Sequence, residues 1–291
     1  VAAVAVATMA SMVMLILFMS TQSTRPSAAT ITDASHPVKS ISAKWTMVLT
    51  GLCCLLMGGC EPENPDPAPV PAMTGELVEH YNLILAGQYG PARVRLRQRI
   101  DTAPGDGRAH FLMGLAHHHE RAYSKAVPWF ERALAADPPY PPAAHFLGWA
   151  FYHAGDANKS QAAFERHLQL DPNEGDTHFG LGVLALERGD LNDADAFFEN
   201  AIALQRSNPD RRGGVAKSLA RRSEVLEQRG DVAGAVSMLA EAVSMEPDLH
   251  EALYRQARLL RRLGRDDEAT ATEAAANDAK ARVESSDGRP R

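Results

Sequence analysis

Cysteine is scarce in this chain of 291 residues and is confined to its beginning, where Cys53, Cys54 and Cys60 are the only three. The rest of the chain can therefore form no disulfide, no zinc site built on thiolates and no cysteine nucleophile. A fold formed by residues 61–291 has to be stabilised by the burial of apolar side chains alone.

Other signals are missing from the part of the chain that follows. Alternating runs of Val, Ile and Thr, which indicate strands, are absent, whereas the helix formers Ala, Leu, Arg and Glu dominate. No G-x-S-x-G, phosphate-binding loop, G-x-G-x-x-G or H-E-x-x-H motif occurs. Residues 60–291 carry 27 basic and 35 acidic residues, so they lack the net basic surface that nucleic-acid binding needs. We predict an all-α protein that is not an enzyme, needs no cofactor and binds no nucleic acid.

Two apolar stretches lie ahead of Cys60, from Val1 to Met19 and from Trp45 to Gly59. The second stretch follows Lys39 and Lys44 and ends in small residues, an order typical of a signal peptide. It is about 15 residues long, which is too short to span a hydrocarbon layer of ~30 Å comfortably.

The end of this stretch, Leu56-Met57-Gly58-Gly59-Cys60, resembles the lipobox of bacterial lipoproteins. The resemblance implies cleavage before Cys60, lipidation of its thiol, and anchoring to a membrane of the bacterial cell envelope, facing the periplasm or the cell surface. Residues 60–72 are rich in proline and predict an extended tether. Glu61 stands where some inner-membrane lipoproteins carry aspartate, which favours the outer membrane.

Cys60 lies far inside the chain for a signal peptide. A start at Val38 would make residues 38–59 a complete signal peptide and residues 1–37 a non-native extension. The alternative is that Val1 to Met19 is a real membrane helix or signal anchor. Both interpretations place the remainder of the chain at a membrane.

One period runs through the middle of the chain. Glycine, proline and phenylalanine each recur three times with the same spacing of 34 positions, a coincidence that is very unlikely by chance. The members are Gly114, Gly148 and Gly182, then Pro104, Pro138 and Pro172, then Phe130, Phe164 and Phe198.

This pattern resembles the tetratricopeptide repeat, whose units are pairs of antiparallel helices. The resemblance implies an all-α fold, a right-handed superhelical solenoid of about six antiparallel helix pairs over residues 73–277. The predicted units are 73–106, 107–140, 141–174, 175–208, 216–249 and 250–277. An insertion around residues 207–214 is predicted to be a loop broken by Gly213-Gly214, and residues 278–291 are predicted to be a disordered tail.

In this family the first helix of each unit lines a concave groove, and the resemblance implies that the groove binds a protein or peptide segment. Large rings in such a groove suit peptide recognition. The alternative is that half of these rings are core between helices. The predicted partner-binding residues of the second to fourth units are Phe111, Leu115, His118, His119, His145, Trp149, Tyr152, His153, Phe179 and Val183.

Arg258, Arg261 and Arg262 of the last unit predict a basic patch that could receive an acidic segment of the partner. The alternative is a solvated helix whose arginines pair with glutamates of the neighbouring unit. A second function would be a small-ligand or metal carrier that uses the histidines and rings of the groove. Because His117-His118-His119 point about 100° apart on a helix, they cannot all bind one ion, and we predict no metal site.

Overall fold

The computed structural model describes residue 73 and residues 75–286. The predicted segments 1–37, 38–59 and 60–72, together with Cys60, lie outside the described residues. None of the helices in the described part combines the length and the apolar character needed to cross a membrane.

The described residues form twelve α-helices and one short 3-10 helix, and they contain no strand. Helices that follow each other along the chain pack together, and neighbouring first helices also touch. The predicted all-α solenoid is confirmed. The helices are α1 (Glu76–Leu85), α2 (Tyr89–Thr102), α3 (Gly107–His119), α4 (Tyr123–Ala135), α5 (Pro142–His153), α6 (Ala157–Leu170), α7 (Gly175–Arg188), α8 (Leu191–Arg206), α9 (Arg212–Gln228), α10 (Val232–Met245), α11 (His250–Arg262) and α12 (Asp266–Ser286).

Local signals in the sequence set several of the helix ends. The Asp106 carboxylate accepts hydrogen bonds from the first backbone N–H groups of α3, and Asp156 does the same for α6. The turn between α5 and α6 contains Gly155 at φ 82°, a left-handed conformation that costs glycine little. Arg121, which holds the equivalent place in the preceding unit, has φ 59°. The turn between α3 and α4 therefore keeps the left-handed backbone conformation of the repeat, although arginine disfavours a positive φ.

A contact between glycine and phenylalanine holds each central helix pair together. The ring of Phe164 is fully buried between Gly148 of the same pair and Gly180 of the next. A Cβ atom would lie 2.5 Å from the ring at Gly148 and 2.6 Å from it at Gly180. Gly114 lies in the same way against Phe130. Glycine and phenylalanine thus recur at a constant spacing because each unit repeats the same close contact between them.

The predicted loop around residues 207–214 is wrong in its second half. A 3-10 helix spans Pro209–Arg211, and α9 begins at Arg212, ahead of the predicted start of the fifth unit at residue 216. Gly213 and Gly214 are therefore helical. A Cβ atom at Gly214 would lie 2.9 Å from the Nε2 atom of Gln205, a buried side chain, so the absence of a side chain at this position allows α9 to pack closely against α8.

The predicted disordered tail is also wrong as far as Ser286, because α12 continues through residue 278 to that position. Ala276 and Ala279 are fully buried in a small cluster with Leu253 of α11. Arg282 donates to Asp248 over 2.7 Å. These contacts extend the last helix beyond the predicted end of the solenoid at residue 277.

Candidate protein-binding groove

Six of the residues predicted to line the groove are buried. Phe111 illustrates their surroundings, because its ring lies 5.0–5.9 Å from the rings of Phe130, Tyr140 and Phe146. Such residues are core in the structure, as the alternative interpretation of the rings predicts. The six are Phe111, Leu115, His118, His145, Trp149 and Val183, each with at most 6% of its surface exposed.

Three of the remaining rings are partly exposed and lie around the buried ring of Trp149: Tyr152 and His153 on α5 itself, and Phe179 on the neighbouring first helix α7. Trp149 is the buried centre of this arrangement, and its ring lies 5.4 Å from Tyr152, 6.0 Å from His153 and 6.1 Å from Phe179. We call Trp149, Tyr152, His153 and Phe179 the aromatic face. His119 is also partly exposed but lies beside Tyr89, at 6.4 Å.

The aromatic face is fixed by a hydrogen bond between two helix pairs. The hydroxyl of Tyr152 on α5 donates to the Oε1 atom of Glu187 on α7. Burial and the nearby carboxylate of Glu187 raise the pKa of Tyr152, so this hydroxyl keeps its proton near neutral pH. The ring of Tyr152 is therefore held in place before any partner arrives.

The histidines beside the aromatic face are uncharged at neutral pH. Burial lowers the pKa of His118 to about 3, and the neighbouring His153 and His119 lower it as well. Burial, with a smaller contribution from Arg121, lowers the pKa of His153 to about 4. His153 stacks on Tyr123 at 4.4 Å. These imidazoles thus behave as flat, neutral rings.

A buried polar contact between the third and fourth pairs went unpredicted from the sequence. The Oγ1 atom of Thr177 lies 3.0 Å from Nδ1 of His145 and 2.7 Å from Nδ1 of His167. A hydroxyl has one hydrogen, so it donates to one ring and accepts from the other, and the two histidines take complementary tautomers. Burial lowers the pKa of both. The one available signal was helical spacing, since His167 follows the core residue Phe164 by three positions.

The described part of the chain contains no group of three His, Cys, Asp or Glu side chains arranged to hold a metal ion. His117, His118 and His119 are spread over different surroundings: His118 lies in the core, whereas His117 and His119 are partly exposed. Nothing in these residues favours the metal-carrier alternative.

The three arginines of the predicted basic patch are exposed and form ion pairs. Arg258 and Arg262 both pair with Glu227 of α9, over 2.8 Å and 2.6 Å. Arg261 pairs with Glu273 of α12. The structure therefore brings Arg258 and Arg262 together, away from Arg261.

Fold and surface define a helical-repeat protein whose first helices carry partly exposed rings. The family model of the tetratricopeptide repeat matches residues 86–141, 147–209 and 221–282. The chain belongs to the tetratricopeptide repeat family. Proteins of this family are typically non-enzymatic scaffolds for protein–protein interaction.

Solved structures share this fold. PilF of Pseudomonas aeruginosa is 18% identical, covers 71% of this chain and 89% of its own, and has a TM-score of 0.58. The C-terminal part of a TPR repeat-containing protein from Cytophaga hutchinsonii is 12% identical, covers 72% of this chain and 80% of its own, and has a TM-score of 0.53. No curated protein matches the chain.

Proposed function

We propose that this protein is a membrane-anchored scaffold that binds a segment of another protein against the aromatic face. The observation that carries the proposal is the set of rings on α5 and α7 that are only partly buried by their own fold. Tyr152, His153 and Phe179 are partly exposed around the buried Trp149. Rings of this kind contribute much buried area for little lost conformational entropy, and they dominate the energy of many interfaces.

The chemistry of the aromatic face favours a partner segment with apolar or aromatic side chains. His153 of this face and the buried His118 beside it carry no charge at neutral pH, because burial lowers the pKa of both. Val183 and Leu186 of α7 are at most 9% exposed and belong to the same apolar cluster as Trp149. An apolar segment would lose little hydrogen bonding with water on binding there.

The membrane anchor belongs to this proposal and is supported by the sequence alone. The apolar stretch before Cys60, the small residues ahead of it and the proline-rich tether after it are together typical of a lipid-anchored envelope protein. Mass spectrometry of the protein from its native membrane is the test. We expect an N-terminal peptide that starts at a lipid-modified Cys60, and an unmodified peptide that crosses residues 59–60 would contradict the anchor.

Replacing Tyr152 and Phe179 together with alanine is expected to weaken partner binding at least about tenfold, because truncating an aromatic residue that dominates an interface costs about 2 kcal/mol or more. Affinity purification from native membranes, followed by titration of the purified partner, measures the loss. Leu170→Ala is the matched control, since Leu170 is an apolar residue, 46% exposed, on the second helix α6. Equal recovery of the partner by the double variant and the wild type would rule out the aromatic face as the binding surface.

A further inference from the structure

Helix α11 carries an excess of positive charge, although the protein as a whole is acidic. It has four arginines and a single acidic residue, Glu251. Arg255, Arg258 and Arg262 are spaced three and four residues apart, so they lie along one side of the helix. We call these three residues the arginine stripe. It faces the preceding first helix, because all three side chains reach glutamates of α9.

The glutamates of α9 are shared between arginines rather than matched to them one by one. Glu224 pairs with Arg255, at 2.6 Å, and with Arg221 of its own helix, at 3.0 Å. Glu227 pairs with both Arg258 and Arg262. At the exposed end of the stripe, one carboxylate therefore faces two guanidinium groups, and their positive charge is only partly neutralised.

The shared Glu227 also fixes the two arginines in position without using all their hydrogen-bond donors. Arg258 donates to Glu227 through Nη2, and Arg262 donates through Nη1. The other guanidinium nitrogens of these two residues make no hydrogen bond within the described residues. Both side chains remain at least half exposed, at 61% and 50%. Each guanidinium can therefore donate hydrogen bonds to a further carboxylate, one that belongs to a bound molecule.

We propose that the arginine stripe binds an acidic segment of the partner protein, in which at least two Asp or Glu side chains follow each other closely. This inference rests on the proposed function, because it extends the bound segment from the aromatic face on α5 and α7 to the later first helices. Charge complementarity selects the segment, and Glu224 and Glu227 hold the guanidinium groups in place for it.

A short fluorescein-labelled peptide that alternates Glu and Ser is the probe, and fluorescence anisotropy with the full-length protein is the readout. We expect the wild type to bind it at low salt and Arg258→Gln with Arg262→Gln to weaken binding about tenfold or more. Arg206→Gln with Arg282→Gln is the charge-matched control, because these arginines also form exposed ion pairs, with Glu241 and Asp248. The control should bind like the wild type, and a Gln-Ser peptide should bind to none of them.

Three results would overturn the inference. The wild type could fail to bind the Glu-Ser peptide, or both arginine variants could lose binding equally, which would indicate a general charge effect. Alternatively, Arg258 and Arg262 could be needed for binding vesicles of phosphatidylglycerol but not for the peptide, which would assign the stripe to a lipid surface. Circular dichroism checks that each variant folds.

Failure of this inference can be distinguished from failure of the proposed function. If the stripe variant binds the native partner like the wild type while Tyr152→Ala with Phe179→Ala loses it, the aromatic face is the binding surface and the stripe has no part in it. If Tyr152→Ala with Phe179→Ala still binds the native partner, the proposed function fails, whether or not the wild type binds the Glu-Ser peptide.

Discussion

Lowering the pH from 7 to 5 is expected to reduce the free energy of unfolding of this protein by at least about 2 kcal/mol. The pKa of His118 is about 3 in the folded protein against an ordinary value of 6.5. Between these two values the unfolded chain binds the proton and the folded protein does not. Stability is therefore complete above pH 6.5 and falls as the pH decreases, and His118 alone contributes roughly 2 kcal/mol of this loss at pH 5.

Other buried histidines act in the same direction and should add to the effect. Burial lowers the pKa of His145, His153 and His167 as well, and His145 and His167 share the hydroxyl of Thr177. Protonation of His145 would place a positive charge in the interior near His167 and Arg211, and at His167 the carboxylate of Asp171 offsets only part of the effect of burial. Urea unfolding followed by circular dichroism at a series of pH values measures the total.

His118→Phe tests the assignment, because it keeps a ring beside Phe130, Phe146 and Tyr123 but removes the site of protonation. We expect its stability to depend less on pH between 7 and 5 by up to about 2 kcal/mol. A variant that loses stability with acid as steeply as the wild type would show that His118 is not the titrating group.

Gly148→Ala is expected to destabilise the protein by about 2 kcal/mol, the middle of the range that overpacking of a well-packed core typically costs. The added Cβ atom would lie 2.5 Å from the ring of Phe164, which is closer than two carbon atoms can approach. The ring is fully buried and has Gly180 against its other side, so it cannot move away without disturbing the next helix pair. Urea unfolding of the variant beside the wild type measures the loss.

Gly90→Ala is the matched control for this substitution. Gly90 is also helical, but apart from its neighbours in the chain and the backbone of its own helix no atom lies within 4 Å of the position its Cβ would take. Alanine favours a helix over glycine by up to ~1 kcal/mol, but a Cβ atom ahead of Pro91 is disfavoured in the helical conformation. Because these two effects oppose each other, we expect this variant to unfold at nearly the same urea concentration as the wild type. Equal destabilisation at both positions would mean that the contact with Phe164 does not limit the packing.

The repeat could be predicted from the sequence because its key contact uses the same two residue types in each of the three central units. Gly114 with Phe130, and Gly148 with Phe164, recur at one interval, and the structure places each glycine against its phenylalanine. The break after α8 was harder to read. Two consecutive glycines indicate a loop when only their neighbours in the sequence are considered. In the structure both lie in α9, and Gly214 packs against the side chain of Gln205 on α8, a contact that the sequence does not reveal.

The exposure of the groove residues could not be predicted in the same way. Phe111, His145 and Phe179 occupy one position of the repeat, yet the first two are buried and the third is partly exposed. The next pair along the chain decides this: Phe146 packs on Phe111, and Thr177 binds His145. The sequence of a single unit does not contain that information, because most residues of α3 and α5 are buried and no exposed face stands out.

Site-specific photo-crosslinking tests the central claim, that a partner binds against the aromatic face, most directly. A photoreactive amino acid is placed at Phe179 in one version of the full-length protein and at Val94, which is 62% exposed on the second helix α2, in another. Both are irradiated in native cells. We expect a discrete adduct with one other protein from position 179 and none from position 94. An adduct from position 94 alone, or none from position 179, would contradict binding at the aromatic face.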